Sequence, residues 1–94
     1  MTNREAAVFA QLLYLNNEKI NIPTIDRFDI IFSTKYRKDI ASALNIKEQV
    51  LQNCFSKLRK KGLIVDNTIP RKYQISISEE GLELTLKLKL ITDV

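Results

Sequence analysis

Several residue types on which enzymes depend are scarce or missing in this sequence. It contains no histidine, one cysteine, two glycines and two prolines among 94 residues. There is no Cys-x-x-Cys motif, no glycine-rich phosphate loop, and no nucleophile with a plausible base partner. The acids are scattered, and their spacing suggests no carboxylate cluster for a metal. We therefore expect no catalysis, no metal, no cofactor and no small-molecule ligand.

Long apolar runs are also missing. The longest span only a few residues, so the sequence predicts no membrane-spanning segment. The N-terminus lacks a basic region leading into an uninterrupted apolar stretch, so a secretory signal is not expected. Cys54, the lone cysteine, cannot form an internal disulfide, which favours a reducing, intracellular (cytoplasmic) compartment. With 45% hydrophobic residues and no linker, residues 1–94 are predicted to form one globular domain.

Positive charge is concentrated in the middle of the chain. Residues 34–72 contain ten basic and three acidic residues, which give +7, whereas the five basic and eight acidic residues elsewhere give −3. A basic middle between acidic flanks is typical of a surface that faces a polyanion. The alternative is that these charges only keep a small domain soluble, and charge alone does not decide between the two.

The N-terminal third is predicted to contain one helix. Thr2 and Glu5 have the spacing of a capping box, and apolar periodicity continues from there to about Asn16. Pro23 breaks any helix that arrives from the N-terminal side. We therefore expect residues 20–33 to be irregular, with a short strand near 30–32.

Two further helices are predicted in the basic middle. Ser33 and Thr34 are both good N-caps for a helix over about 35–44, and Asn45 tolerates the left-handed conformation that ends it. The next helix, over about 48–61, ends at Gly62. Its inward stripe follows i, i+3, i+4, i+7 spacing and consists of Leu51, Cys54, Phe55 and Leu58.

A hairpin follows these helices. A short strand over 63–65, a loop over 66–71 and an alternating strand over 72–78 are expected. In residues 82–90, leucines alternate with polar residues as in a half-exposed strand. Leu, Glu and Lys nevertheless favour helix, and Ser78 followed by two glutamates is a good helix start. The residues alone leave strand and helix open for this tail.

The stretch DIASALNIKEQVLQNCFSKLRKKGLI resembles the winged helix-turn-helix family of DNA-binding proteins, in its MarR- and PadR-like branch. The matching positions are Ile40-Ala41, Leu44, Asn45-Ile46, Val50-Leu51, Phe55, Leu58 and Lys61-Gly62-Leu63-Ile64. YQISISEEG is similar to the second wing strand and the following helix start of that branch, which favours a C-terminal helix. The departures are Asn45, where glycine is usual, and Lys47, where a Ser or Thr cap is usual.

This resemblance implies a single α+β domain, mainly helical with a small β-hairpin wing. The helix-turn-helix would occupy about 34–62 and the wing about 63–78. Helix 48–61 would enter the major groove of DNA and the 66–72 loop would lie on the backbone. Members of the family commonly dimerise, and residues 3–16 and 79–92 offer apolar surface for a homodimer.

The helix geometry and the resemblance together give a set of candidate contacts with DNA. On a helix whose apolar stripe faces inward, the outer side chains that suit base edges are those of Gln49, Gln52, Asn53 and Ser56. The candidates for backbone phosphate are Arg37, Lys38, Lys47, Lys57, Lys60, Arg71 and Lys72. The Gln, Asn and Ser residues are also ordinary on a solvated helix face.

Two functions remain open from the sequence. The first is sequence-specific binding of double-stranded DNA by a small transcriptional regulator, associated with the nucleoid. The alternative is a winged-helix protein–protein interaction module within a larger assembly, whose basic face meets an acidic partner. Fold alone does not decide between them.

Overall fold

Helices make up most of the described chain. The structure is a computed structural model that describes residues 2–69 and 72–83. Its elements are α1 (Asn3–Glu18), α2 (Thr24–Ile31), α3 (Thr34–Ala43), α4 (Glu48–Lys60), β1 (Ile64–Ile69) and β2 (Lys72–Ile77). Residues 79–83 are helical again. The described part is thus mainly helical with a small two-stranded antiparallel sheet, which is compatible with the predicted α+β class.

The start of α1 is the predicted capping box. The Thr2 hydroxyl accepts a hydrogen bond from the Glu5 N–H, and the Glu5 carboxylate accepts one from the Thr2 N–H. The helix continues to Glu18, two residues beyond the predicted end. Asn16 is buried, and its Oδ1 accepts a hydrogen bond of 3.2 Å from Arg27 Nη1. This contact with α2 gives the polar end of α1 a partner.

The prediction for residues 20–33 was wrong, because a helix, α2, fills most of this range. Pro23 stands at its N-cap, where a missing N–H costs no helical hydrogen bond. Phe28, Ile31 and Phe32 are all buried. Their i, i+3, i+4 spacing is that of a helix face, and packing of this face outweighs the strand preference of the adjacent isoleucines.

The connection between α3 and α4 follows the predicted pattern. The Ser33 hydroxyl accepts a hydrogen bond of 3.4 Å from the Tyr36 N–H at the start of α3. Asn45 adopts a left-handed conformation with φ of 53°, and the Ile46 N–H donates to the Ala41 carbonyl at 2.9 Å. Lys47 makes no side-chain cap, so α4 begins without one.

The core lies among the four helices and the hairpin. All four residues of the predicted inward stripe of α4 are buried, and Phe55 meets Phe32 edge-on with ring centroids 5.8 Å apart. The other buried apolar residues are Val8, Phe9, Leu12, Phe28, Ile31, Ile40, Ala41, Leu63, Ile64 and Ile77. No helix in the described part of the chain is both long and apolar enough to cross a membrane.

The first strand of the hairpin is longer than predicted. Residues 66–69 belong to β1, where Asp66 pairs with Ile75 and Asn67 with Gln74, so their assignment to a loop was wrong. Their turn preference is overridden by cross-strand contacts, including a hydrogen bond of 2.7 Å from Asn67 Nδ2 to Ser76 Oγ. Gly62 precedes the hairpin with φ of +74°, the left-handed conformation predicted for a helix stop.

The helix start predicted after Ser78 is confirmed. The Ser78 hydroxyl donates to the Gly62 carbonyl and accepts from the Gly81 N–H at 3.0 Å. A Cβ on Gly81 would lie 2.6 Å from the Leu63 carbonyl oxygen and 3.1 Å from Phe9 Cζ. Glycine therefore lets this helical turn pack closely on α1 and on the start of β1. The rest of the tail, residues 84–94, lies outside the described residues.

Candidate nucleic-acid interface

The side of α4 opposite the core is polar and open. Gln49, Asn53, Ser56 and Lys60 are exposed, and we call these four residues the outer face of α4. They recur at intervals of three, four or seven residues, which places them on one side of a helix. The half-buried Gln52 and the exposed Lys57 lie at its two edges. All four candidate base-reading residues thus occur on this side or at its edge.

Two of these residues are joined to each other. Gln49 Nε2 donates a hydrogen bond of 3.3 Å to Asn53 Oδ1, one helical turn away. The bond occupies one Gln49 donor and one lone pair of Asn53. Gln49 keeps its carbonyl oxygen, and Asn53 keeps both N–H groups. The pair therefore presents acceptors and donors outward with restricted side-chain freedom.

A buried carboxylate of α1, that of Glu5, contacts α4 at one edge of the outer face. Glu5 lies 3.9 Å from Lys57 Nζ and 3.6 Å from Lys61 Nζ, and its side chain is only 4% exposed. Burial acts to raise the pKa of Glu5. The hydrogen bond from the Thr2 backbone and the charges of the two lysines outweigh it, so this pKa lies below its ordinary value of 4.5. Glu5 is thus charged at neutral pH and offsets part of the positive charge beside the outer face.

The hairpin contacts α4 from a different direction. Arg59 Nε donates to Asp66 Oδ1 of β1 at 3.1 Å, and both side chains are partly exposed. Lys57 and Arg59 are two residues apart, so they project about 200° from each other around the helix. The first turn of α1 and the hairpin therefore lie on opposite sides of α4, with the outer face between them.

A cleft separates the first turn of α1 from α4. Its volume is about 440 Å³, and it is open to solvent. Its lining residues are Thr2, Asn3, Arg4 and Glu5 from the α1 side, and Val50, Asn53, Cys54 and Lys57 from α4. Asn53 thus belongs both to the outer face and to this cleft. Sequence reasoning missed the α1 side, because the capping-box motif gave no sign of what that helix end touches.

The candidate phosphate contacts differ in exposure and in the groups that lie near them. Lys38, Lys47, Lys57 and Lys60 are all exposed. Of these four, Lys57 lies close to the Glu5 carboxylate. Arg37 is half-buried, and its Nη2 donates to Thr34 Oγ1 at 3.1 Å.

The remaining two candidates are Arg71 and Lys72. Arg71 lies outside the described residues. Lys72 stands in β2 opposite Ile69, and its side chain is outside what the structure describes.

Cys54 is a core residue on the inner edge of the cleft. It is 4% exposed, and burial raises the pKa of its thiol. Within residues 2–69 and 72–83, no three His, Cys, Asp or Glu side chains are grouped so that they could hold a metal ion.

Comparison of the chain with models of known protein families, with curated proteins and with solved structures found no match.

Proposed function

We propose that this chain is a sequence-specific, double-stranded DNA-binding protein of winged helix-turn-helix type, acting as a small transcriptional regulator. The observation that carries the proposal is the outer face of α4. It is exposed and uncharged except for Lys60, holds the hydrogen-bonded Gln49–Asn53 pair, and is set in the basic segment 34–72. A face of this kind suits base edges, which are recognised by directed donors and acceptors more than by charge.

In this proposal, α4 enters the major groove. Gln49, Gln52, Asn53 and Ser56 meet base edges, and amide side chains such as those of Gln49 and Asn53 suit the donor–acceptor pattern of adenine. The surrounding cations neutralise phosphates and set the register: Arg37, Lys38, Lys47, Lys57, Lys60, Arg71 and Lys72. The hairpin takes the part of the wing, with its 66–72 segment on the backbone. A DNA-bound regulator of this kind works in the cytoplasm, on the nucleoid.

The test is a fluorescence-anisotropy titration with a duplex selected from a random pool, repeated at several salt concentrations. If about five phosphates are neutralised per protomer, log K should fall with log salt with a slope near −4 to −5. An unrelated duplex of equal length should bind more weakly. Undetectable binding to any duplex at low salt would refute the proposal, and equal binding to both duplexes would refute sequence-specific recognition.

We also propose that the DNA-bound form is a homodimer built from residues 3–16 and 79–92. Tyr14, on α1, is 63% exposed, which leaves apolar surface for a partner. Residues 84–92 lie outside the described part, so the tail's share of the interface stays a prediction. A symmetric dimer would favour half-sites about one helical turn apart. Light scattering that gives a monomer mass at tens of micromolar, with and without DNA, would count against it.

A protein–protein interaction module is the second candidate. Ile20 and Ile25 are more than half exposed near the loop between α1 and α2, and Val65 is exposed on β1. Exposed apolar side chains of this kind suit a protein partner more than a phosphate backbone. If the salt titration fails, a search for an acidic protein partner becomes the next experiment.

A further inference from the structure

We infer that the first turn of α1 forms one flank of the DNA-contacting surface, with Arg4 as a phosphate contact. This inference rests on the proposed function, and it adds a residue outside the basic segment that the sequence singled out. The basis of this inference is the position of the first turn of α1 beside α4.

The first turn of α1 and the hairpin flank α4 on two sides. Lys57 lies near Glu5 of α1, and Arg59 pairs with Asp66 of β1. These two side chains project from nearly opposite sides of α4. The major groove is about 12 Å wide and a helix with its side chains is about 10–12 Å across. A helix in the groove therefore has a phosphate backbone close to each side. Elements that flank α4 on two sides meet those two backbones.

Arg4 lies beside the outer face of α4. It is exposed and lines the same cleft as Asn53 and Lys57. Among the residues that the structure describes, none forms an ion pair or a side-chain hydrogen bond with Arg4. Its positive charge acts to lower the pKa of the Cys54 thiol, against the larger effect of burial, which agrees with its position beside α4. Within the described residues, Arg4 is therefore a cation without an ion-pair partner, next to the outer face.

The first turn of α1 offers two kinds of donor to a phosphate, its backbone N–H groups and the Arg4 guanidinium. The Glu5 N–H at the start of α1 already donates to the Thr2 hydroxyl at 3.2 Å, and the Ala6 N–H donates to the Thr2 carbonyl at 2.9 Å. The contact is assigned to the Arg4 guanidinium, because its full positive charge neutralises a phosphate and displaces a counterion, whereas a backbone N–H carries only a partial charge. Glu5, held between Lys57 and Lys61, keeps this turn docked on α4.

The experiment compares Arg4→Gln with Lys19→Gln in the anisotropy titration. Each variant removes one positive charge from one end of α1. Lys19, the C-cap of α1, lies about 22 Å from Arg4 along the helix. Arg4→Gln should reduce the salt slope by about 0.9 and weaken binding about eightfold at 0.1 M salt, on preferred and unrelated duplexes alike. Lys19→Gln should leave the slope unchanged. Thermal melts of both variants establish that each is folded.

The outcomes separate this inference from the function on which it rests. If the unaltered chain binds duplex DNA but Arg4→Gln behaves as Lys19→Gln does, the inference is overturned and the proposed function stands. A change in sequence preference with an unchanged slope would also overturn it, because a phosphate contact carries no base information. If the unaltered chain binds no duplex, both are overturned together.

Discussion

Replacing Glu5 with glutamine should strengthen DNA binding while weakening the fold. The carboxylate lies within 4 Å of both Lys57 and Lys61, so it competes with phosphate for Lys57, the candidate phosphate contact at the edge of the outer face of α4. Glutamine can still accept the hydrogen bond of the capping box, so the variant removes the charge and keeps the helix start. If one cation is released to a phosphate, the salt slope steepens by about 0.9, and affinity at 0.1 M salt rises about eightfold.

Glu18→Gln is the matched control. It makes the same change in charge at the other end of α1, where the carboxylate is exposed. Anisotropy titrations of both variants with one duplex, over a range of salt, provide the comparison. If Glu5→Gln binds no more tightly than Glu18→Gln, Lys57 does not contact a phosphate, and the α1 side of α4 does not face DNA.

Glu5→Gln also gives a pH test of the fold. Because the pKa of Glu5 lies below its ordinary value of 4.5, its ionised form stabilises the fold above about pH 4.5. That contribution is lost as the pH falls through the lowered pKa. The unaltered chain should therefore melt at a higher temperature than Glu5→Gln at pH 7, and this difference should shrink below about pH 4.5. A difference that is constant from pH 7 to pH 3 would contradict the assignment.

Three further predictions concern recognition of the DNA sequence and stability of the fold. Asn53→Ala should cost about 1–3 kcal/mol on the preferred duplex and little on an unrelated one, whereas Arg71→Ala should weaken both and reduce the salt slope by about one. Should Asn53→Ala leave the preference among duplexes unchanged, α4 is not the reading helix. Phe55→Ala should lower the free energy of unfolding by about 3–5 kcal/mol in urea titrations, because Phe55 is fully buried against Phe32; a loss below about 1 kcal/mol would contradict this packing. Gly62→Ala should cost about 1 kcal/mol because Gly62 has a φ of +74°, whereas Asn45→Gly, at φ of 53°, should be neutral or stabilising. Equal effects of these two substitutions would contradict the left-handed conformations.

Local patterns predicted the helices whose signals lie within a few residues. The capping box of Thr2 and Glu5, the left-handed Asn45 and the stop at Gly62 are all confirmed. The helix α2 was missed because Pro23 was taken as a breaker when it stands at a helix start. In β1, Asp66 and Asn67 favour a turn, and only their pairing with β2 makes them strand. That pairing is a tertiary contact which a local pattern does not contain.

The candidate interface was predictable to a similar degree. The 3.6-residue period of α4 was enough to place Gln49, Asn53 and Ser56 on the side opposite the core, where the structure has them. The pairing of Gln49 with Asn53 and the approach of Glu5 were not foreseen. Glu5 and Lys61 are far apart in sequence, and the docking of their helices depends on apolar faces buried elsewhere in the fold. Charge spacing along the chain does not contain that information.

The docking of α1 on α4 has a consequence for the growing chain on the ribosome. Glu5 contacts lysines at positions 57 and 61, so synthesis must proceed for about 3–11 s after Glu5 before both partners exist, at 5–20 residues per second. A helix of 16 residues is marginal in water without tertiary packing. During that interval Val8, Phe9 and Leu12, all buried in the finished fold, have no α4 to pack against. The nascent chain therefore exposes this apolar face for seconds before α4 can cover it, and transiently exposed apolar surface of this kind is prone to aggregation.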